Sequence, residues 1–336
     1  MSLLPDTDLL LPTLAARLGA VAKRFEQELV SDLPAVNKLV RHVEHYRGKM
    51  LRPTLVIASG LAVRANSIVN HTSHASQVID ESLDALAAVV EMIHMATLVH
   101  DDVLDEADLR RGGATVNSLR GNETAVMLGD FLFSSSFHLC SSVGESWLNS
   151  ELSLMTSQLC SGEILQLSHR GDLTLDASTY FEIIRRKTGV LAGACCGLAA
   201  RLTGATPAVC EALRLFGEEL GMAFQIQDDV LDLIGEERVV GKTLGIDLRK
   251  GKFTLPLVTH LTRCSPDVRA LTIQAIEQCD VPTLLRLIES TESLTASREH
   301  AVGFVSKAKS RLSILTESSA RQMLCSIADA TIEREF

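Results

Sequence analysis

Apolar residues recur at three- and four-residue spacing along most of this chain, most clearly over residues 83–99 and 211–233. No proline falls between Pro53 and Pro207, so nothing there forbids long helices. Leu and Ala, both good helix formers, are abundant in that stretch. Alternating strand patterns are scarce, and no Asn-Gly or Asp-Gly turn joins two β-branched runs. The pattern predicts an all-α protein. It predicts an amphipathic helix over 12–30 and loops near 64–80, 110–122, 169–178 and 236–252. No linker or low-complexity segment divides the 336 residues, so a single domain over 1–336 is the simpler reading.

Composition narrows the function classes. Hydrophobic residues make up 46% of the chain, enough for a sizeable core. No run of about 18 apolar residues appears, which argues against a membrane-spanning helix. Asp6 and Asp8 stand where a secretion signal would carry Lys or Arg, so no signal or transit peptide is read and a cytoplasmic location is expected. The formal net charge of −10 argues against nucleic acid as a partner. An acidic protein can still hold phosphate through metal ions or a local basic cluster. None of the eight cysteines forms a C-x-x-C pair, and they read as reduced, buried thiols without chemistry.

Two copies of one acidic pattern stand out. HDDVLDEADLRRG carries Asp101, Asp102 and Asp105; FQIQDDVLDLIG carries Asp228, Asp229 and Asp232. Residues four apart on a helix lie about 40° apart around the axis, one turn on. Asp101 and Asp105 therefore share a face, as do Asp228 and Asp232. Clustered carboxylates make a hard oxygen site of the kind Mg²⁺ takes, usually with water and substrate phosphates completing its shell. Two such helices facing each other across a bundle would clamp a diphosphate between bridging ions. A single copy reads as readily as a solvated acidic helix end. Here both copies follow strongly apolar runs, where uncompensated carboxylates would repel one another and resist desolvation.

With these motifs in place, the chain resembles the trans-isoprenyl (polyprenyl) diphosphate synthases, most closely the long-chain members. The likeness runs from about Gly48 to Pro256. It adds GKMLRP, EMIHMATLVHDD, LRRG, GDFLF, GEILQ, RKTG and GKTLGIDLRKGKFTLP to the two aspartate motifs. The resemblance implies the isoprenoid synthase fold, a single large helical bundle around a deep central cavity. It also implies a Mg²⁺-dependent enzyme, with three ions per active site and Mn²⁺ able to substitute. Asp101, Asp105 and Asp228 match the principal metal ligands, and Asp102, Asp229 and Asp232 match residues that support them or hold metal-bound water. Lys49, Arg52, His94 and Arg111 match the ligands of isopentenyl diphosphate. Arg110, Lys187, Lys242 and Lys252 match cations around an allylic diphosphate, and Thr188 and Gln225 match residues beside a developing allylic cation. Taken singly, each basic residue also reads as a solvated surface charge, and His94 as a satisfied core histidine. The family pattern is departed from at Arg47, where Gly is common, and at Met50, where a basic residue is common.

The implied reaction is ionisation, condensation and elimination. Lys, Arg and metal charge stabilise the departing diphosphate, isopentenyl diphosphate attacks the allylic cation, and the released diphosphate takes the proton. Product length is expected to follow the depth of an apolar tunnel below the first aspartate motif. Ala96 and Thr97 lie about one turn below Asp101, and Ile93 a further turn down. All are small or medium-sized, and only 4% of the chain is aromatic. The expected product is therefore longer than C20. A geranylgeranyl or farnesyl diphosphate synthase is the nearest alternative, and a terpene cyclase or a non-catalytic partner subunit a more distant one. The resemblance further implies a homodimer, and a product this apolar implies peripheral membrane contact for release.

Overall fold

The computed structural model describes residues 7–46, 48–66, 73–234 and 246–333. Their contacts fall into two compact units. Unit 1 comprises Met1–Leu154, Ala194–Arg214 and Ser313–Leu324; unit 2 comprises Met155–Gly193, Leu215–Leu312 and Cys325–Phe336. The expected helical character holds. Among the described residues the only strands are β1 (Leu109–Arg110) and β2 (Gly113–Ala114), paired antiparallel.

Unit 1 is organised on α4 (Ser73–Leu104), which packs against α1 (Thr7–Glu28), α3 (Leu51–Asn66) and α6 (Asn122–Ser141). Leu83, Leu86, Val89, Met92, Ile93 and Ala96 of α4 are completely buried. By length and composition α4 could cross a membrane, but 72% of its most apolar window is buried inside the protein, as in a core helix. Arg17 of α1 clamps α4 from one side, with Nε donating to Asp84 at 2.8 Å and a second ion pair to Asp80. On α3, Gly60 leaves room for Leu83: a Cβ there would stand 2.6 Å from its Cδ1. The short helices α2 (Pro34–Val43) and α5 (Val116–Arg120) complete the end of the unit that carries the first aspartate motif.

Unit 2 draws on α7 (Ser146–Ser168), α8 (Ala177–Ile184), α9 (Val190–Leu202), α10 (Pro207–Ile234) and α11 (Ile246–Arg249). It then takes in α12 (Leu255–Arg263), α13 (Pro266–Glu277), α14 (Val281–Ser290) and α15 (Ser293–Arg311). The last helix is α16 (Ser319–Ile332); it, α7, α9 and α10 contribute residues to both units. One core gathers Val230, Leu233, Leu257, Leu284 and Ile288, and a second gathers Tyr180, Ile184, Met222, Ile226 and Leu255. Between α8 and α9 the backbone widens into a π turn, Arg185–Gly189. Such a turn inserts a residue into a helix and recurs at functional sites.

Several sequence expectations need correction. The loop expected over 64–80 is helical from Ser73, because α4 starts well before its strongest apolar pattern. The break at 110–122 is a β-hairpin followed by α5. The first helix begins at Thr7 and holds Pro12 inside it. All eight cysteines are free, yet Cys160 and Cys279 are exposed.

The tightest helix contact in unit 2 is at Gly217. A Cβ there would lie 2.2 Å from the Ala192 carbonyl oxygen and 2.7 Å from its carbon, so backbone meets backbone. One turn on, Gly221 lies against Gly189 and the Thr188 carbonyl, with a would-be Cβ 3.0 and 3.2 Å from them. Substituting Gly217→Ala forces α10 away from α9. It is expected to lower the unfolding free energy by about 1–3 kcal/mol, as overpacked cores do; a urea titration of the variant against the parent measures it.

Candidate active site

The first aspartate motif closes α4. Helix α4 ends at Leu104, but the Asp105 amide still donates to the Asp101 carbonyl at 2.8 Å, so the helical turn that puts the two on one face persists. Both side chains are half-buried, whereas Asp102 is 1% exposed. Asp102 Oδ1 accepts from Arg110 Nε at 2.7 Å. Burial raises the Asp102 pKa, and Arg110 is the main influence that lowers it again. Its Oδ2 is buried, and the Tyr46 hydroxyl beside the carboxylate also favours the ionised form.

The hairpin that follows presents the arginines. Arg110 pairs with Gly113 across it, and the two turn residues, Arg111 and Gly112, have φ of 50° and 77°. Positive φ at both positions is the hand a two-residue hairpin needs; an arginine there is uncommon and sets the direction of its side chain. The Arg111 guanidinium lies over Gly48, where a Cβ would stand 2.7 Å from Nη2, and it donates to the Tyr46 carbonyl. The glycine of GKMLRP is thus needed for close approach. Tyr46 itself is buried, its hydroxyl accepting from the Val116 amide at 3.2 Å and lying beside Asp102. Burial first, then the Asp102 charge, pushes its pKa up to about 12.

Arg52, at the start of α3, joins this group. The half-buried His94 ring is held well below the usual imidazole pKa, first by burial and then by Arg52, Arg111 and Arg110. His94 is therefore neutral, and three guanidinium groups share its surroundings. Arg52 Nε is buried with no hydrogen-bond partner among the described residues, and Lys49 is exposed beside it in sequence. Such concentrated positive charge, with planar donors left unused, is complementary to a diphosphate. Unit 1 thus brings together Arg52, His94 and Arg111, which the resemblance assigned to isopentenyl diphosphate, with Arg110, which it assigned to the allylic diphosphate and whose Nε is engaged by Asp102.

Ile93 and Ala96 are completely buried, and Thr97 is half-buried with its hydroxyl donating to the His94 carbonyl at 2.7 Å. That bond spends the only polar group of Thr97 on its own helix. Residues 93, 96 and 100 share a helix face. That face meets α6: the His100 ring lies over Gly129, where a Cβ would be 2.2 Å from Nε2, and its centroid is 5.9 Å from that of Phe133.

The second motif lies on α10 in unit 2, beside the π turn. Thr188 Oγ1 donates to Gln225 Oε1 at 2.9 Å, and Gln225 Nε2 donates to Asp229 Oδ1 at 2.8 Å. The Tyr180 hydroxyl donates to Asp229 Oδ2 at 2.6 Å. Asp228 is half-buried, but Asp229 and Asp232 are 4% and 1% exposed. Burial raises the pKa of Asp229, and the nearby Asp247 carboxylate raises it further. The Asp247 amide approaches Asp232 Oδ2 at 3.4 Å. Lys187, on the π turn, meets Glu163 and donates to Gln166 Oε1 at 3.0 Å. Gly162 allows this, because a Cβ there would lie 2.8 Å from the Lys187 amide.

One pocket is lined by Gln166, Lys187, Thr188, Gln225, Asp229 and Lys252, with Tyr180 and Asp247 also on its wall. Its carboxylates and lysines can hold a phosphate-bearing, metal-bridged ligand. Lys252 is buried and follows Gly251, whose φ of 68° turns the loop against Gly171, with the Gly171 amide donating to the Gly251 carbonyl at 2.8 Å. Lys242 lies outside the described residues. Tyr46, Tyr180 and Asp247 were not foreseen as site residues. Glu163 and Gln166 sat in a quoted motif, GEILQ, to which sequence alone attached no role.

In each acidic motif the first aspartate reaches solvent and the second is buried, but the last reaches solvent only in the first motif. Asp101, Asp105 and Asp228 reach solvent, while Asp102, Asp229 and Asp232 are buried among protein partners. Among the described residues no three His, Cys, Asp or Glu side chains by themselves close around a metal ion. That donor set fits Mg²⁺ held by one or two carboxylates with water and substrate phosphate as further ligands. In unit 1 Asp101 and Asp105, and in unit 2 Asp228, are the motif carboxylates that reach solvent and could hold such an ion.

Comparisons with known proteins agree with this chemistry. A model of the polyprenyl synthetase family matches residues 34–286. The octaprenyl diphosphate synthase of Escherichia coli K12 is 33% identical over 325 residues, 96% of this chain and 97% of that one. A short chain isoprenyl diphosphate synthase from Methanothermobacter thermautotrophicus is 34% identical, covering 92% of this chain and 94% of its own. The crystal structure of a Caulobacter crescentus polyprenyl synthase, complexed with calcium and isoprenyl diphosphate, superposes with a TM-score of 0.87 at 33% identity over 97% of each chain. This all-α chain, with its two aspartate motifs and the basic residues around them, belongs to the polyprenyl synthetase family of prenyltransferases.

Proposed function

We propose that this chain condenses isopentenyl diphosphate with an allylic diphosphate and extends the product beyond C20. The observation that carries the reading is that two basic clusters each accompany their own aspartate motif: Arg52, Arg110 and Arg111 around the neutral His94 in unit 1, and Lys187 and Lys252 in unit 2. Two diphosphate substrates need two such sites. Lys49, Arg52, His94 and Arg111 bind isopentenyl diphosphate, and Arg110 serves the allylic diphosphate. Lys187, Lys242 and Lys252 hold the allylic diphosphate as its bond to carbon breaks. Thr188 and Gln225 stand beside the carbon that becomes cationic. Asp101, Asp105 and Asp228 hold Mg²⁺, three ions in all, with Mn²⁺ as a substitute, and Asp102, Asp229 and Asp232 keep these ligands in place. When bound, the metal supplies positive charge that neutralises the leaving diphosphate.

The chain works on this reading as one synthase domain, as a homodimer, in the cytoplasm, with membrane contact for release of product. The octaprenyl-producing relative and the small side chains at Ala96 and Thr97 support a long product. A second reading, a product of C20 or shorter, draws support from the short-chain relative.

Incubating the protein with Mg²⁺, a farnesyl primer and labelled isopentenyl diphosphate, then sizing the products, separates these readings. Chains beyond C20 are expected; accumulation at C20 selects the second reading, and no incorporation rejects both. The Asp101→Ala variant is expected to lose at least about 10²–10³-fold in kcat, the scale of a lost electrostatic contact to developing charge. Near-normal turnover at saturating Mg²⁺ would remove Asp101 from the metal site. Ala96→Phe, on the face of α4 that meets α6, is expected to shorten the product; an unchanged length distribution shows that the floor of the tunnel lies elsewhere.

A further inference from the structure

Unit 2 contains a directed line of hydrogen bonds that starts at a tyrosine to which the reading above gives no role. Tyr180, on α8, is 3% exposed, and its hydroxyl donates to Asp229 Oδ2 at 2.6 Å. Asp229 Oδ1 accepts from Gln225 Nε2 at 2.8 Å, and Gln225 Oε1 accepts from Thr188 Oγ1 at 2.9 Å. The direction follows from the chemistry of each group. Tyr180 and the Gln225 amide nitrogen donate to the two Asp229 oxygens, which leaves the Gln225 carbonyl oxygen for Thr188. The Thr188 hydroxyl must then donate, which turns its lone pairs away from Gln225. Both Thr188 and Gln225 line the pocket, and so do Tyr180 and Asp229.

We propose that Tyr180 is a positioning residue for the allylic site. Its hydroxyl fixes the Asp229 carboxylate and, through it, the amide orientation of Gln225 and the direction of the Thr188 hydroxyl. The Thr188 oxygen then presents electron density to the pocket, where positive charge develops on carbon. Without the hydroxyl, Asp229 can turn, the Gln225 amide can flip, and Thr188 loses its fixed direction. The assignment rests on the prenyl-transfer reading above. It extends that reading to a side chain seven residues before Lys187, on helix α8, that shares the pocket wall with Lys187 and Thr188.

The structure favours this over a tyrosine that merely fills the core. Tyr180 does pack, against Phe181 with ring centroids 5.6 Å apart and among Ile184, Met222 and Ile226. Yet its hydroxyl is spent on a buried carboxylate that holds a pocket residue by its other oxygen. A space-filling role would not make Tyr180 and Thr188 depend on one another, since two side chains stand between them.

The test compares kcat and KM for Tyr180→Phe, Thr188→Val and the double variant, each normalised to folded protein by circular dichroism. Tyr180→Phe is expected to lower kcat by about tenfold or more, the scale of one hydrogen bond to a charged group, with KM for isopentenyl diphosphate unchanged. Thr188→Val is expected to lower kcat in the parent and to have little further effect beside Tyr180→Phe. Full kcat in Tyr180→Phe, or losses that multiply in the double variant, would overturn the proposal. If Tyr180→Phe does not fold, 4-aminophenylalanine and 4-methylphenylalanine at position 180 decide. The first keeps a donor and should keep kcat, the second should lose it, and equal rates overturn the proposal. A parent enzyme that elongates no primer at all would instead overturn the prenyl-transfer reading.

Discussion

A carboxylate taken out of water is unfavourable unless donors or a cation meet it. This chain buries three of them, Asp102, Asp229 and Asp232, near the C-terminal ends of the long helices α4 and α10. Each is met by a different partner. Asp102 takes the Arg110 guanidinium, Asp229 takes Tyr180 and Gln225, and Asp232 lies by the backbone amide of Asp247. These partners lie on separate pieces of chain: a hairpin, helix α8 and the segment that opens α11. The buried aspartates thus pin the elements that carry the site's basic and polar groups. The half-buried Asp101, Asp105 and Asp228 reach solvent. Burial thus separates the aspartates within each motif of five residues.

Close approach of backbones makes those pins possible. Gly217 and Gly221 let α10 lie on the backbone at Ala192 and Gly189, and the next residue at that spacing is Gln225. Gln225 therefore arrives at Thr188 with little freedom left to lose. Gly162 does the same for α7 against Lys187, and Gly48 for the Arg111 guanidinium. The π turn at Arg185–Gly189 shifts Lys187 and Thr188 relative to a regular helix. Helix contacts this tight tolerate little added volume.

Much of this was legible in the sequence, for identifiable reasons. The three- and four-residue apolar spacing of α4 and α10 gave the helices directly, and the repeated D-D-x-x-D gave the acidic ends, because both signals are local. The glycines of GKMLRP, GEILQ and RKTG carried no such signal, because what lies against each of them comes from a distant part of the chain or another helix. The tertiary partners escaped notice. Tyr180 is an ordinary aromatic in an apolar segment, and its role depends on Asp229, 49 residues away. Tyr46 meets Val116 across 70 residues. The hairpin was missed because its turn is Arg111-Gly112, and an arginine at positive φ carries no turn signal of its own. The start of α4 was missed because residues 73–82 are polar enough to read as a loop until packed helices stabilise them.

Product length remains the property that these constraints govern least directly. Ile93 and Ala96 lie on the α4 face that meets α6, and both are sealed from solvent. A growing apolar chain passing this way would displace side-chain contacts and not water, so its depth depends on which neighbours can yield. Thr97 is already neutralised by its bond to the His94 carbonyl and offers the chain only a methyl group. On α6, Gly129 and Phe133 flank His100, so the volume available near the motif is shaped by α6 as much as by α4. Small residues below the first motif are thus a necessary feature of a long-chain synthase, and the packing of α6 against α4 determines whether they are sufficient.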